Sequence, residues 1–240
     1  MAKWQNQVQN SLEKNHYDKL QASSHKLDKL QALGYYKIMK VKDAKKITGS
    51  MTRTSKMPGL SYSLPAWECQ TGAKLRAVKG SVCSGCYALK GNYTRYPAIK
   101  AAQYYRLASL MEPDWIPAMV TQIKRQKFFR WHDAGDIQSV KHLTNIFEVC
   151  NQTPATSHWL PTRERKFLPL SADSVPKNLK IVISDHMVDQ ATPVKSWPYT
   201  SGVSSDKKLA TCPAPSQGGK CGSCRQCWDR NVDRVVYGKH

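Results

Sequence analysis

The chain has 240 residues, eight cysteines and a formal net charge of +20. A chain of this length can bury its own core, so the cysteines are not needed as the staples of a mini-protein. We find neither the apolar core of a signal peptide at the start nor a run of about 18 apolar residues that could span a membrane. We therefore expect a soluble protein of a reducing compartment, in which clustered cysteines bind metal or catalyse before they form disulfides.

The basic charge predicts a polyanionic partner. A net charge of +20 attracts nucleic acid, or an acidic protein or substrate. The alternative is a solvated basic surface without a specific partner, because net charge governs association and solubility rather than fold. We expect no contact with a membrane, and the sequence predicts no oligomeric state.

Residues 1–57 are the most lysine-rich part of the chain and predict a basic helical extension. Apolar residues recur there at near-helical spacing from Trp4 to Leu33, and Gly34 is suited to end a helix. Residues 49–58 are rich in Gly, Ser, Thr and Pro and predict a loop. The extension is either an arm for nucleic acid or another partner, or a packed helical segment with a solvated face. We expect residues 58–240 to form a single α/β domain.

From about residue 97 the pattern alternates between helices and strands. The spacing of apolar residues predicts helices over 97–111, 113–126 and 139–152. Short aromatic and β-branched runs predict strands over 128–132, 156–160 and 179–184. This order favours βαβ units, with too few repeats for a complete eight-fold barrel. We expect a partial (β/α) barrel or a small open parallel sheet.

The cysteine-rich C-terminal segment, residues 212–227, carries the strongest motif. Cys212 precedes a proline, and Cys221, Cys224 and Cys227 follow at three-residue steps. Such steps wrap the chain around the corners of a cubane and a distant fourth cysteine closes the set, which favours a [4Fe–4S] cluster. Zinc is the alternative, although it more often takes two separated CxxC pairs. Cys150 ends an apolar predicted helix and is interpreted as a small hydrophobe.

Cys69, Cys83 and Cys86 form a second group, with Gly85 inside the CxxC turn. With three cysteine ligands, a [4Fe–4S] cubane would keep one iron open for a small sulfur-containing or anionic substrate. A redox-active CxxC is the competing interpretation, because that motif also lowers the pKa of a thiol. The two groups could also converge on one shared centre, so the sequence predicts one cluster or two.

Ionisable residues follow each of the three predicted strands. In parallel α/β architectures ligands bind at the carboxyl ends of the strands, so three such ends should converge on one face. Alternatively, each residue is an ordinary turn or cap residue. The candidates for substrate binding or acid–base work are His132, Asp133, Asp136, Arg163, Glu164, Asp185 and His186.

Four motifs in order resemble a known family: SVCSGCYALKGNY, FFRWHDAGDI, HWLPTRE and CPAPSQGGKCGSCRQCW. Together they look like the phage-encoded gene product 88 family, over roughly residues 60–230. The resemblance implies a viral protein that acts in the host cytoplasm, and it implies little about mechanism.

A wider resemblance is to radical S-adenosylmethionine enzymes. It implies a partial barrel, a three-cysteine loop near its start and an extra cluster on C-terminal cysteines. Residues 83–88 are similar to the last part of that loop, and HDAGD is similar to the strand end that meets the methionine moiety. On this resemblance Gly85, Tyr87 and Gly135 would contact the cofactor. The chain departs from the family's closely spaced third cysteine, since Lys79 stands there, so cofactor cleavage could be lost while the fold is kept.

Three functions follow from these observations. The first is an iron–sulfur enzyme doing redox or sulfur-transfer chemistry at the strand ends. The second is a nucleic-acid-binding protein with a structural cluster or zinc ion, because many tyrosines lie near basic residues. The third is a viral effector that docks on an acidic host protein.

Overall fold

The computed structural model describes residues 39–191 and 197–239. Residues 39–240 form one compact unit. Residues 39–57 are part of this unit, and the expected division into residues 1–57 and 58–240 stays a prediction. The helices predicted between Trp4 and Leu33 lie outside the described residues.

Seven strands form one sheet in the described residues, and their order in the sheet is their order in the chain. Only β1 runs antiparallel to its neighbour, and every pair from β2 to β7 is parallel. The expected open, mainly parallel sheet is confirmed. The strands are β1 (Thr52–Arg53), β2 (Leu60–Tyr62), β3 (Phe128–Trp131), β4 (Ser157–Thr162), β5 (Leu179–Ser184), β6 (Thr200–Ser204) and β7 (Arg234–Gly238).

The helices lie mainly before β3 and between β3 and β4. Pro97 occupies a first-turn position of α4, where its missing N–H costs nothing. Ser139 caps α6 by accepting the backbone N–H of His142 at 3.0 Å. The described helices are α1 (Val41–Thr48), α2 (Gln70–Arg76), α3 (Asn92–Arg95), α4 (Pro97–Ser109), α5 (Trp115–Ile123) and α6 (Val140–Asn151).

Both faces of the sheet are covered. Side chains alternate along β3, so Phe129 and Trp131 enter the main core with residues of α5 and α6, whereas Phe128 faces the other side. On that second face Trp159 and Val182 pack against Trp228 of the C-terminal segment. Every residue of β5 is buried, as expected for a central parallel strand with cover on both sides.

The predicted strands and helices from residue 97 to residue 184 are confirmed, with ends that move by a few residues. The predicted loop over 49–58 contains the short strand β1. The strands β2, β6 and β7 were not predicted, because they are short and rich in Ser, Gly or charged residues. Among the described residues, none of the helices has the length and apolar character needed to cross a membrane.

Candidate functional site

The four C-terminal cysteines line one pocket on the second face of the sheet. The pocket has an empty volume of about 290 Å³, part of it open to solvent. Its walls are Cys212, Pro213, Ala214, Cys221, Cys224, Gln226, Cys227, Trp228 and Val235.

Backbone hydrogen bonds fix the ends of this cysteine segment. The N–H of Cys212 donates to Val236 of β7 at 3.1 Å, and the N–H of Cys221 donates to Lys56 at 2.9 Å. The N–H of Cys224 donates to the carbonyl of Cys221 at 2.9 Å and closes the CxxC turn. Gly222 lies between these two cysteines with φ 51°, a conformation that favours glycine. The chain therefore makes a tight turn between Cys221 and Cys224.

Lys180 anchors the chain that follows Cys227. Its side chain is 1 % exposed, at a position of β5 that sequence reasoning treats as part of an apolar strand. The ammonium donates to the carbonyl oxygens of Gln226 at 2.9 Å, Asp229 at 2.6 Å and Val232 at 2.7 Å. All three N–H donors of the ammonium are therefore used to hold the cysteine segment against the sheet.

The thiols of this group sit in a partly dry environment. Burial raises the pKa of Cys227 to about 11, opposed by a 3.3 Å contact with the Tyr237 hydroxyl and by the Arg130 guanidinium. Burial also raises the pKa of Cys221, and the neighbouring Cys212 and Cys224 add to it. A bound cation would relieve this repulsion between the thiolates.

The second group of cysteines lies at the carboxyl end of the sheet, after β2. Cys69 immediately precedes α2, and Cys83 lies in the short 3₁₀ turn Val82–Gly85. A Cβ atom built on Gly72 would lie 3.6 Å from Cys83 Sγ and 3.8 Å from Cys69 Sγ. The two sulfurs therefore approach the same point above the first turn of α2, where only glycine leaves room.

Burial raises the pKa of Cys69, and Asp136, Cys86, Cys83 and Glu164 reinforce the effect. The pKa of Cys83 is also raised by burial, while the Arg163 guanidinium acts in the opposite direction. Cys69 therefore joins the CxxC pair in space, despite its distance in sequence. A reactive redox CxxC has a lowered thiol pKa, so the raised pKa of Cys83 does not favour that interpretation.

The end of β4 holds this group in place. The two carboxylate oxygens of Glu164 accept the backbone N–H of Thr71 at 2.6 Å and its hydroxyl at 2.7 Å. Thr71 is the second residue of α2, so a buried carboxylate caps the helix that begins after Cys69. Glu164 thus acts on the cysteine group by positioning it.

The segment after β5 holds the other side of the loop. The N–H of Val82 donates to His186 at 2.8 Å, and the N–H of Val188 donates to Gly80 at 3.0 Å. These two bonds flank the bridge between Ser81 and Met187. The segments that follow β4 and β5 therefore both contact the three-cysteine loop.

Asp136 joins the ends of β3 and β4. Its carboxylate accepts the N–H of Ile137 at 2.8 Å, the hydroxyl of Thr162 at 2.5 Å and the N–H of Arg163 at 2.9 Å. Burial raises the pKa of Asp136 to about 6, although these three hydrogen bonds oppose the shift. Arg163 continues the link, since its Nε donates to the carbonyl of Asp185 at 3.0 Å.

The remaining predicted polar residues lie in different surroundings. The His132 ring packs against His142 of α6 at 5.3 Å between centroids, and burial lowers the pKa of His132 to about 3. Asp133 accepts the Tyr93 hydroxyl at 2.9 Å. Asp185 pairs with Arg234 of β7 at 2.6 Å. Of the seven candidates, Asp136, Arg163, Glu164 and His186 surround the three-cysteine group, while His132 lies on the helix side of the sheet.

The three residues predicted to contact a cofactor, Gly135, Gly85 and Tyr87, also lie in different surroundings. Gly135 has φ 80°, and a Cβ there would lie 2.6 Å from Leu64 Cβ, so its missing side chain makes room for Leu64. Gly85 faces open space, with no atom within 4 Å of the position of a Cβ. Tyr87 is half-exposed, and its hydroxyl donates to the carbonyl of Asp133.

Arg130 is a residue that sequence reasoning missed. Its guanidinium lies 4.5 Å from the Trp159 ring centroid and donates to the Tyr87 hydroxyl at 3.4 Å. The same guanidinium opposes the raised pKa values of Cys221 and Cys227. Arg130 therefore lies between the two cysteine groups. The signal available in the sequence was a basic residue at an alternating position of an otherwise aromatic strand.

A sequence profile of the gene product 88 family matches residues 36–230. The chain belongs to the gene product 88 family. In this gene product 88 protein the match includes both cysteine groups and the ends of β3, β4 and β5. It begins before α1, so the family region extends upstream of the expected start near residue 60. No curated protein and no solved structure matches the chain.

Within residues 39–191 and 197–239, this gene product 88 protein has no set of three or more Cys, His, Asp or Glu side chains placed to hold a metal ion. Four sulfurs around one zinc must approach a common centre at about 2.3 Å. The cysteines of a [4Fe–4S] cubane bind different irons, so they are spaced more widely.

Proposed function

We propose that this member of the gene product 88 family is an iron–sulfur enzyme. Cys212, Cys221, Cys224 and Cys227 would hold a [4Fe–4S] cluster with four protein ligands. Cys69, Cys83 and Cys86 would hold a second cluster. The observation that carries the proposal is that all four C-terminal cysteines line one pocket, which a buried lysine holds against the sheet.

The three-cysteine group is the proposed catalytic centre. When bound there, a cluster with three cysteine ligands supplies an iron that can take a substrate ligand and exchange electrons with it. Arg163 offers a guanidinium next to Cys83 for the anionic end of a small substrate. His186 lies beside Arg163 and is the candidate for proton transfer. The activity would be redox or sulfur-transfer chemistry.

The position of this centre supports an enzyme. The sequential parallel order of β2 to β7 is that of a partial (β/α) barrel, in which catalytic groups lie at the carboxyl ends of strands. Asp136 and Glu164 make the centre rigid, because their carboxylates accept hydrogen bonds that fix the strand ends and α2. A preorganised site of this kind is expected where chemistry occurs.

Anaerobic purification with iron, sulfide and zinc analysis tests the metal. We expect a brown protein with a broad absorption band near about 400 nm and acid-labile sulfide equal to iron. The Cys150→Ala variant is the matched control, because Cys150 is buried among core residues and belongs to neither group. A colourless protein with stoichiometric zinc would overturn the proposal in favour of a structural metal.

Spectral titration tests the enzyme assignment. Thiosulfate, a small thiol and S-adenosylmethionine should be added separately to the wild type and to the Cys86→Ser variant. We expect a ligand-dependent change in the wild type that is lost in the variant. If the iron-loaded wild type responds to none of these compounds, the three-cysteine centre is not an open substrate site.

A further inference from the structure

The positive charge is concentrated in one part of the described chain. Residues 39–110 contain thirteen Lys and Arg but only two Asp and Glu, a net charge of +11. These 72 residues therefore carry more than half of the total charge of +20. They include α1 to α4 and all of the three-cysteine loop.

Exposed aromatic rings occur in the same part of the chain. In the described residues, every aromatic side chain of the exposed class lies between Trp67 and Tyr105, whereas the other rings are buried or partly buried. Burial is the usual fate of large apolar side chains, so a group of exposed rings indicates a binding surface. The rings are Trp67 (45 %), Tyr87 (52 %), Tyr96 (50 %), Tyr104 (36 %) and Tyr105 (50 %).

Contacts join several of these rings, whereas Tyr105 faces α1 and donates its hydroxyl to the carbonyl of Lys46. Tyr104 donates its hydroxyl to Glu68 at 2.9 Å, which brings α4 next to Trp67. Arg76 lies over the Trp67 ring at 5.3 Å. Along the helix, Tyr96, Lys100 and Tyr104 recur at four-residue steps and share one face.

The surface borders the three-cysteine group. Trp67 is two residues before Cys69, and Tyr87 directly follows Cys86. Cys86 itself packs in a small cluster with Tyr93 and Leu89. A ligand that lies across these rings therefore reaches the opening of the proposed catalytic centre.

We propose that an aromatic–basic surface, formed by Trp67, Tyr87, Tyr96 and Tyr104 with Arg76, Lys90, Arg95 and Lys100, binds single-stranded nucleic acid. Unpaired bases stack on exposed rings while Lys and Arg neutralise the phosphates. A duplex hides the faces of its bases, and an acidic protein would match the charge but not the rings. The inference goes beyond the proposed function and does not depend on it, because the surface lies outside the three-cysteine centre.

Fluorescence anisotropy with a labelled oligothymidine and a duplex of equal length tests the surface. We expect the single strand to bind more tightly, and its affinity to fall steeply between about 50 and 200 mM salt. Tyr96→Ala should weaken binding about tenfold, the size of one base-stacking contact, while Tyr96→Phe keeps the ring and the affinity.

A charge-matched pair of variants distinguishes binding at this surface from general electrostatic attraction between the basic protein and the oligonucleotide. Lys100→Glu should weaken binding strongly, whereas Lys207→Glu, an exposed lysine between β6 and β7, should have a small effect. Circular dichroism of each variant checks that it is folded. Equal loss in both charge variants, an unchanged affinity in Tyr96→Ala, or equal binding of duplex and single strand would overturn the proposal.

The same preparations should be assayed for iron. Binding that is sensitive to Tyr96 in a protein without iron would support the surface and contradict the iron–sulfur proposal. An iron-loaded protein that does not bind single strands would support the iron–sulfur proposal and contradict the surface. A 5-iodouracil oligonucleotide should crosslink within residues 67–104, and crosslinks confined to other peptides would contradict the surface.

Discussion

Glu164 accepts two hydrogen bonds from Thr71, one from its backbone N–H at 2.6 Å and one from its hydroxyl at 2.7 Å. The end of β4 is thereby tied to the first turn of the helix that follows Cys69. A buried carboxylate that caps a helix stabilises it by about 1 kcal/mol, and more when the donors would otherwise be left unpaired.

Glu164→Ala should therefore destabilise the fold by roughly 2 kcal/mol and lower the iron content of the three-cysteine centre. The reason is that two partly buried donors of Thr71 lose their acceptor. Chemical denaturation and iron analysis measure the two effects. Glu112→Gln is the control, since Glu112 is exposed. A Glu164→Ala protein with unchanged iron would show that the cap does not position Cys69.

Lys180→Met should loosen the four-cysteine segment. The substitution keeps most of the side-chain volume but leaves the carbonyls of Gln226, Asp229 and Val232 without their donor. We expect a loss of roughly 2 to 4 kcal/mol in the free energy of unfolding and a lower metal content.

The control for that change is Lys177→Met, because Lys177 is exposed and lies on the same segment of chain. Limited proteolysis provides a second measurement. Faster cleavage within residues 212–232 is expected only in Lys180→Met. Equal cleavage in the two variants would contradict the anchoring role of Lys180.

Gly72→Ala should disturb the three-cysteine group without a large change in stability. The new methyl group would lie 3.0 Å from Cys69 Cβ and 3.6 Å from Cys83 Sγ. We expect iron at this group to fall while iron at the C-terminal group stays. Gly238→Ala is the control, because a methyl group there meets only Ala210 at 4.0 Å. Full iron loading in Gly72→Ala would mean that the sulfurs do not meet above α2.

His158 should make the free energy of unfolding fall as the pH falls. Burial lowers its pKa from 6.5 to about 3, and its Nε2 shares a 2.9 Å hydrogen bond with Thr153. Between these two pH values the unfolded chain binds a proton that the folded chain does not, so stability rises with pH. The contribution is complete above pH 6.5 and is lost as the pH falls, by about 1.4 kcal/mol for each pH unit.

His158→Gln should therefore flatten the dependence of unfolding free energy on pH between about 6.5 and 5, as measured by urea denaturation at several pH values. The comparison is of slopes, so a lower stability of the variant at neutral pH does not affect it. His132 acts in the same direction, because burial lowers its pKa to about 3 as well. An unchanged slope in His158→Gln would contradict the assignment.

The sequence alone predicts the helices and strands that have a strong pattern of apolar residues. Helices α4 to α6 and strands β3 to β5 follow from apolar periodicity, since each buries a full face or stripe. Strand β6 has the sequence TSGVS, and its small polar residues become buried only because β5 and β7 flank it. Such burial depends on partners that no local pattern encodes.

The site, like the fold, could be predicted from the sequence only in part. The CxxC spacings and the polar strand ends were visible, but the partners of individual side chains were not. Glu164 looked like an acid–base residue and caps a helix that begins 94 positions earlier. Lys180 was part of the predicted strand over 179–184, and its role was not visible because its three acceptors lie 46 to 52 residues downstream. Long-range hydrogen bonds of this kind arise from the tertiary fold alone.

The central claim is that the cysteines form two separate iron–sulfur centres. The most direct test is the iron content per chain of anaerobically purified wild type, Cys224→Ser, Cys86→Ser and Cys150→Ala. We expect about eight irons in the wild type and in Cys150→Ala, and about four in each of the other two variants. Iron that is absent from the wild type, or insensitive to both substitutions, would contradict the account.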